Sequence, residues 1–169
     1  MAKHLMTDEL NRRLVATLQQ EGRISHAELA ERVGVSRPTV IDRVKRLEAE
    51  GILAGYSANV SPEAVNKPCV AFVAVRFHSG GDEGAEDRFL QALEEEPDVL
   101  AAYSTAGADW LLLKVVAETP LDLHGRLRRI KTLGPQVTTR TTMVLKTYFE
   151  KIGPSPFTAE VPSGLSHHH

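Results

Sequence analysis

"SRPTVIDRVKRLEAEG", residues 36–51, predicts one amphipathic helix with two different sides. Its apolar residues Val40, Val44 and Leu47 recur at i, i+4 and i+7, which predicts a single buried stripe. We expect the polar residues Thr39, Asp42, Arg43 and Arg46 on the opposite side. Whether that side is ordinary solvated surface or a binding surface depends on the neighbouring elements.

The residues before this helix predict a second helix, joined to it by a tight turn. Ser25 and Glu28 form the S-x-x-E pattern of a capping box, and Gly34 is suited to close that helix. Ser36 then caps the quoted helix, whose first turn tolerates Pro38. Two helices joined by a short glycine-containing turn form a helix-turn-helix, in which the second helix enters a DNA groove.

A further helix is predicted nearer the N-terminus. Thr7 precedes an acidic first turn, and Leu10, Leu14 and Leu18 give the apolar stripe. The three helices together predict a helix-turn-helix domain over residues 1–51.

The outward side of the quoted helix is locally cationic. Residues 37–46 hold four basic side chains against one acid, Asp42, and the phosphate backbone of DNA attracts such a face. Arg43, nearer the helix N-terminus, is expected to reach base edges and Arg46 to contact phosphate, while Thr39 suits a thymine methyl or a phosphate. The alternative is a solvated helix face, but the surrounding helix-turn-helix favours double-stranded operator DNA as partner. The predicted contacts are Ser36, Arg37, Thr39, Asp42, Arg43, Lys45 and Arg46.

The rest of the chain alternates strands and helices in the order β-α-β-β-α-β of a ferredoxin-like domain. Strands are predicted at 69–77, 99–105, 110–116 and 137–149, and helices at 86–95 and 121–130. Before them, "ILAGYSANV" predicts a connecting strand, followed by turn-rich residues. The predicted fold class is therefore α+β, with a helix-turn-helix domain at 1–51, a connecting strand and linker at 52–67, a ferredoxin-like domain at 68–152 and a flexible tail at 153–169.

One face of the predicted sheet has no helix to cover it. In "CVAFVAVRF", residues 69–77, both alternating sets of side chains are largely apolar, so the open face is expected to be covered as well. A second copy of the chain is the simplest cover. We therefore expect a homodimer, and assembly of dimers into larger particles is left open.

The hairpin "TAGADW", residues 105–110, is a candidate effector site. Gly107 can expose backbone N–H groups and Asp109 supplies a carboxylate, which together suit the two charged ends of an amino acid. The alternative is plain turn chemistry, because Gly and Asp are common turn residues. Threonines of the last strand either line the same pocket or are only good strand residues. The predicted effector contacts are Thr105, Gly107, Asp109, Thr141 and Thr142.

The composition excludes several other classes of protein. The balance of 20 basic against 22 acidic residues argues against a uniformly basic protein that coats nucleic acid. Cys69 is the only cysteine, with no sequence cue for a neighbouring base, and the histidines are scattered, so no catalytic site, metal or cofactor is predicted. The N-terminus lacks the apolar core of a signal peptide, and we expect a cytoplasmic protein without a membrane partner.

Residues 6–150 resemble the Lrp/AsnC family of transcription regulators. The most specific parts are "GRISHAELAERVGVSRPTVIDRVKRLEAEGILAGYSANVSPE" and "ADWLLLKV" followed by the threonine-rich last strand. The resemblance implies a winged helix-turn-helix DNA-binding domain, a dimer-forming ferredoxin-like domain, and an amino acid or related small molecule bound between protomers near the hairpin that joins the second and third strands. Two alternatives remain: an enzyme on a dimeric ferredoxin-like sheet, and a nucleoid-type architectural protein without an effector.

Overall fold

The computed structural model describes residues 2–78, 84–134, 136–151 and 153–157. The chain divides into two compact units, of which one comprises the chain up to Ala58 together with the segment from Phe149. The other unit is Asn59–Tyr148. The division falls inside the predicted connector at 52–67, so the residues of that connector belong to different units.

The N-terminal unit is helical. Its helices are α1 (Ala2–Leu5), α2 (Glu9–Gln20), α3 (His26–Val33) and α4 (Arg37–Ala49). Their apolar stripes meet in one core, which includes the fully buried Leu14, Leu29, Val40 and Leu47. The three predicted helices are confirmed, whereas α1 was not predicted.

The start of α2 differs from the prediction by one residue. Asp8, and not Thr7, is the N-cap, and its carboxylate accepts the backbone N–H groups of Leu10 and Asn11. The Thr7 hydroxyl instead donates to the carbonyl of His4 at the end of α1. Because a carboxylate also complements the positive end of the helix dipole, Asp8 is the stronger cap of the two.

Two predictions about the flanking segments were wrong. Within the described ranges, residues 52–60 form no strand, because no second strand lies beside them to complete a ladder of hydrogen bonds. The tail was expected to be loose from residue 153, but the Gln19 side chain donates to the Pro154 carbonyl at 2.8 Å and the Arg12 guanidinium lies over the Phe157 ring. Gln19 and Arg12 both belong to α2, so residues 153–157 pack on that helix. Residues 158–169 of the predicted tail lie outside the described residues.

The second unit is a four-stranded antiparallel sheet with two helices. Its elements are β1 (Cys69–Phe77), α5 (Ala85–Glu94), β2 (Val99–Ser104), β3 (Leu111–Ala117), α6 (Pro120–Thr132) and β4 (Val137–Met143). The strand order β2-β3-β1-β4 is that of the ferredoxin-like fold, as predicted. Thr119 caps α6 by accepting the N–H of Asp122, as its position before Pro120 suggests.

The last strand is shorter than the predicted 137–149. Met143 pairs with Ala71, and the N–H of Val144 reaches the carbonyl of Val70. The paired strand β1 begins at Cys69, only one residue before Val70. Pro68, which precedes it, has no N–H to donate. The ladder therefore has nothing to continue on, and residues 144–150 leave the sheet.

The two faces of the sheet differ in their cover. Alternate residues of β1 and β3, among them Val73, Val75, Leu113 and Val115, are fully buried in the core with α5 and α6. The opposite face carries Phe72, which is 36% exposed, and Tyr103, which is 53% exposed. This open face is the surface that the sequence predicted to need a partner.

None of the helices in the described part of the chain is both long and apolar enough to span a membrane.

Candidate DNA-binding and effector sites

Helix α3, which leads into the turn before α4, is fixed by local hydrogen bonds at both of its ends. Ser25 and Glu28 form the predicted capping box, and this bonding holds the pKa of the Glu28 carboxyl below its usual value. At the other end, Gly34 adopts a left-handed conformation with φ 75°, which lets Val35 N–H return to the Ala30 carbonyl at 3.1 Å. The direction in which α4 leaves the turn is thereby set by the sequence.

The exposed side of α4 carries most of the predicted DNA contacts. Its described exposed residues include Ser36, Arg37, Asp42, Lys45 and Arg46. Three of these are cations and one is an acid, so the exposed side has a net positive charge over residues 36–46, before the exposed Glu48. This arrangement suits contact with phosphates and base edges in a major groove.

Thr39 is half-buried and takes part in the helix cap. Its hydroxyl lies 2.8 Å from the Ser36 hydroxyl, and its backbone N–H donates to the same Ser36 oxygen. The hydroxyl of Thr39 is therefore already engaged, which leaves its methyl group as the part suited to a thymine methyl.

Arg43 does not lie on the outward side, contrary to the sequence prediction. Its Nη1 donates to the Asp8 carboxylate and, at 3.0 Å, to Oδ1 of Asn11. The reason is visible in the spacing: Arg43 is three residues from Val40 and four from Leu47, and both spacings place it beside the buried stripe.

The Arg43 contacts tie α4 to the start of α2. Asn11 is 1% exposed, and its side-chain amide donates to the Leu5 carbonyl at 2.7 Å. The hydrogen bond from Arg43 is the largest cause that holds the pKa of Asp8 below its usual 3.8. A polar network between the two helices thus fixes the orientation of α4 relative to α2.

The hairpin between β2 and β3 is closed by its own hydrogen bonds. Thr105 N–H donates to the Trp110 carbonyl at 3.0 Å, and the Thr105 hydroxyl donates to the Asp109 carbonyl at 2.7 Å. Gly107 has a backbone φ of 148°, a conformation that residues with a side chain rarely adopt. Trp110 N–H donates to the Val75 carbonyl at 2.8 Å, so the hairpin is fixed to β1.

Asp109 is paired with two arginines that sequence reasoning missed. Arg140 Nη2 donates to its Oδ2 at 2.7 Å, and Arg76 Nη2 lies 3.5 Å from its Oδ1. The Asp109 side chain is 21% exposed. The signal for these partners was present in the alternation of β1 and β4, which places both arginines on the open face of the sheet, where the hairpin ends.

The two predicted threonines of β4 lie on opposite faces. Arg140 and Thr142 alternate with Thr141, and Thr141 pairs with Val73, whose side chain is in the core. Thr142 therefore shares the open face with Arg140, whereas Thr141 does not. The prediction that both threonines line one pocket was wrong, because neighbouring strand residues point to opposite sides.

A metal centre is not formed by the described residues, among which no group of three or more His, Cys, Asp or Glu side chains is placed to hold an ion.

The fold and these two sites define a two-domain helix-turn-helix regulator. A family model described as winged helix-turn-helix DNA-binding matches residues 7–54, and the model of the Lrp/AsnC ligand binding domain matches residues 70–153. The chain belongs to the Lrp/AsnC family of transcriptional regulators.

Relatives align over most of the chain. The HTH-type transcriptional regulator LrpA of Mycobacterium tuberculosis is 38% identical over 142 residues, which are 84% of this chain and 92% of the relative. The feast or famine regulatory protein of M. tuberculosis, solved with L-methionine, superposes with a TM-score of 0.78 at 35% identity, covering 88% of this chain and 99% of that one. A transcriptional regulator of Neisseria meningitidis in complex with L-Met gives a TM-score of 0.79 at 28% identity, covering 86% and 94%.

Proposed function

We propose that this regulator binds operator DNA through α4 as a homodimer, and that an amino acid bound at the sheet domain changes its DNA affinity. The observation that carries the DNA-binding part is the exposed cationic side of a helix that is capped and oriented by the rest of the helix-turn-helix. Arg37 and the Thr39 methyl group, at the N-terminal end of α4, are proposed to reach base edges. Lys45 and Arg46 are proposed to contact phosphates, with Ser36 and Asp42 at the edge of the same surface.

Arg37→Ala and Arg46→Ala are expected to weaken DNA binding in different ways. Loss of Arg37 should cost about 1 to 3 kcal/mol and relax sequence preference, because a base contact is removed. Loss of Arg46 should weaken all sequences alike and lower the slope of log affinity against log salt by about 1. Fluorescence anisotropy on DNA selected from a random pool, at several salt concentrations, measures both effects.

Two further variants act as controls for this experiment. Arg128→Ala removes an exposed arginine from α6 in the other unit and should leave both parameters unchanged. Arg43→Ala should lower the free energy of unfolding by about 1 to 3 kcal/mol, because Asn11 loses a partner in a buried position. Equal DNA binding by Arg37→Ala and the wild type on every sequence would exclude Arg37 as a base-reading residue.

The effector part of the proposal is supported by the hairpin and by the relatives. Two structurally similar regulators hold L-methionine, and in this chain Asp109 offers a carboxylate beside the exposed backbone of Gly107. We propose that Asp109 pairs with the ammonium group of the amino acid, with Thr105, Gly107 and Thr142 around it. If an amino acid changes DNA affinity, DNA must change affinity for the amino acid by the same factor, which gives a reciprocal check.

The homodimer is proposed from the open face of the sheet. Phe72 and Tyr103 are partly exposed there beside Leu112 and Ala74, a surface more apolar than a free sheet face normally is. In a two-fold dimer the open face of each copy would be covered by the same residues of the other copy. The two copies of α4 would then read a roughly palindromic site.

Phe72→Glu is expected to convert the dimer to a monomer. A carboxylate at position 72 would have to be desolvated in the interface, even with Lys114 opposite it on β3, and the cost of burying that charge opposes association. Light scattering on the full chain measures the mass. Leu121→Glu, at a residue of α6 that is 80% exposed, introduces the same charge away from the sheet and should leave the mass unchanged. A wild-type chain that is monomeric at all concentrations tested would exclude the dimer.

A further inference from the structure

Residues 52–58 carry the chain from the end of α4 to the boundary with the second unit. The N–H groups of Ile52 and Leu53 both donate to the Leu47 carbonyl, at 2.9 Å and 3.1 Å, and both side chains pack on the helical core. The first unit ends at Ala58. The start of this segment is therefore fixed to the last turn of α4, and its later residues need contacts of their own.

Tyr56 supplies such a contact by returning to α4. Its hydroxyl donates a hydrogen bond to Oε1 of Glu48 at 3.0 Å. A Cβ atom added to Gly22 would lie 3.8 Å from Cδ1 of the Tyr56 ring, so the ring covers the turn between α2 and α3. One side chain thus contacts both the last turn of α4 and the turn that leads into α3.

The hydroxyl of Tyr56 remains a donor near neutral pH. Partial burial of the ring is the largest cause that raises its pKa, and the hydrogen bond to Glu48 and the Glu48 charge raise it further, to about 12. A raised pKa means that the hydroxyl keeps its proton well above neutral pH. Its bond to the Glu48 carboxylate is therefore charge-assisted, which makes it stronger than a bond between neutral groups.

A cavity of about 660 Å³ lies beside the Tyr56 ring. Its walls include Leu18 of α2 and Pro154 of the C-terminal segment. The ring is not packed on the side of the cavity, and Tyr56 is 50% exposed. Because close packing does not enclose the ring, the hydrogen bond to Glu48 is the directional contact that sets its position.

The helical core does not need this contact in order to form. Its fully buried side chains Leu14, Leu29, Val40 and Leu47 all come from α2, α3 and α4 themselves. A hydrogen bond on a half-exposed side chain adds little to folding stability, because water competes for both partners. The contact of Tyr56 is therefore better placed to hold the direction of the last turn of α4 than to hold the fold.

We propose that Tyr56 is a positioning residue for DNA binding, which holds the last turn of α4 through Glu48. Lys45 and Arg46, the two residues proposed to contact phosphates, lie three and two positions before Glu48 on the same helix. A change in the tilt of this turn moves their charged groups relative to the phosphates, so Tyr56 acts on DNA binding without touching the DNA. The assignment rests on the proposed phosphate contacts.

A different role for the same hydroxyl would be to restrain the negative charge of Glu48. Once released, this exposed carboxylate would compete for Lys45, three residues before it, and repel the phosphates. The two roles are distinguished by Glu48→Gln, which removes the charge but keeps an oxygen that accepts from Tyr56. Positioning requires the acceptor, whereas restraint of the charge requires the charge.

The salt dependence of DNA binding by the full chain tests the assignment. Tyr56→Phe keeps the ring and replaces one neutral side chain by another. It is expected to weaken DNA binding about threefold to tenfold and to lower the slope of log affinity against log salt by about 1, as loss of a phosphate contact does. Because the substitution removes no charge, a lower slope reports phosphate contacts that other residues have lost. Fluorescence anisotropy measures the slope, and urea unfolding measures the stability of the same samples.

Substitutions of Glu48 show which role the hydroxyl has. In a Glu48→Gln background, Tyr56→Phe should still lower the slope, since glutamine retains the acceptor. In a Glu48→Ala background, Tyr56→Phe should have no further effect, because no acceptor is left to lose. Tyr148→Phe is the matched control: it removes the same hydroxyl from a tyrosine that is 83% exposed, and it should bind DNA like the wild type.

The outcomes separate this assignment from the proposed DNA contacts. If Arg46→Ala lowers the slope and Tyr56→Phe does not, the phosphate contact stands and the positioning assignment is wrong. A Tyr56→Phe variant that lowers only the urea midpoint would show that the hydroxyl serves the fold alone, which also overturns the assignment. If Tyr56→Phe has no effect in the Glu48→Gln background, the hydroxyl restrains the charge of Glu48 and does not position α4. If neither Arg46→Ala nor Tyr56→Phe changes the slope, both the phosphate contact and this assignment are overturned.

Discussion

Asp98→Asn is expected to lower the free energy of unfolding by about 3 kcal/mol, because it breaks a buried ion cluster while leaving the cations in place. The Asp98 side chain is 4% exposed and contacts both Lys67 and Arg126. Asparagine keeps the size of the side chain but removes its charge. Lys67 and Arg126, each about a third exposed, then lose the buried carboxylate, and Arg126 keeps only Asp122 at 3.3 Å. The cluster joins the start of β2, the middle of α6 and the residues that lead into β1.

Urea unfolding measured by the fluorescence of Trp110 checks this prediction, since the chain has a single tryptophan. Asp87→Asn is the matched control: it removes the same charge from an exposed position on α5 and should change stability by less than about 0.5 kcal/mol. If the two variants unfold at the same urea concentration as the wild type, the Asp98 cluster is screened by water and does not hold the domain.

The elements of this fold were predictable wherever a local signal fixed them. The capping box at Ser25, the glycine turn at Gly34 and the cap at Ser36 each act within four residues, and the structure has all three. The strands of the sheet domain were found from alternation and apolar runs, and the order of elements was sufficient to predict their arrangement. Such local signals can be recognised from the sequence alone, because the residues that bond to each other are only a few positions apart.

The predictions that were wrong depend on partners that are distant in the chain. The segment 52–60 has strand-like residues, but a strand forms only beside another strand. The tail was taken as loose from its composition, whereas the side chain of Gln19, some 135 residues away, donates a hydrogen bond to its Pro154 carbonyl. Amino-acid composition and secondary-structure propensity do not predict such long-range contacts.

The candidate sites follow the same division. The exposed side of α4 was predicted from spacing, except for Arg43, whose spacing from Val40 already indicated a position beside the core. Asp109 was found from turn chemistry, but its partners Arg76 and Arg140 are 33 and 31 residues away and required the register of β1 with β4. Thr141 was included among the predicted effector contacts because the prediction did not consider which face of the strand each threonine occupies.

The aromatic cluster beneath the hairpin gives the other large expected effect. Phe89 of α5 is fully buried, and its ring lies 5.6 Å from that of Phe77, which in turn lies 4.2 Å from Trp110. Phe89→Ala should cost about 3 to 5 kcal/mol of unfolding free energy, because it leaves a cavity in this cluster. Since Trp110 directly follows Asp109, the same variant should also weaken the effector site.

Gly134, after α6, packs directly on that ring. A Cβ added there would lie 2.4 Å from Cδ2 and 2.9 Å from Cγ of Phe89, closer than real contacts allow. Gly134→Ala alone should therefore cost about 1 to 3 kcal/mol by overpacking. In the double variant with Phe89→Ala, the new methyl group enters the cavity instead of meeting the ring, so the two losses should not add.

A double-mutant cycle on the full chain measures this coupling. Urea unfolding of the wild type, both single variants and the double variant should give a coupling of at least about 1 kcal/mol in favour of the double variant. The shift of Trp110 fluorescence in the folded state reports whether the hairpin has moved. Gly125→Ala, at an exposed glycine of α6 where an added Cβ meets nothing within 4 Å, controls for the helix-favouring effect of alanine. Strict additivity would mean that the ring of Phe89 moves aside freely, and the cluster would then not be the rigid support on which Asp109 is placed.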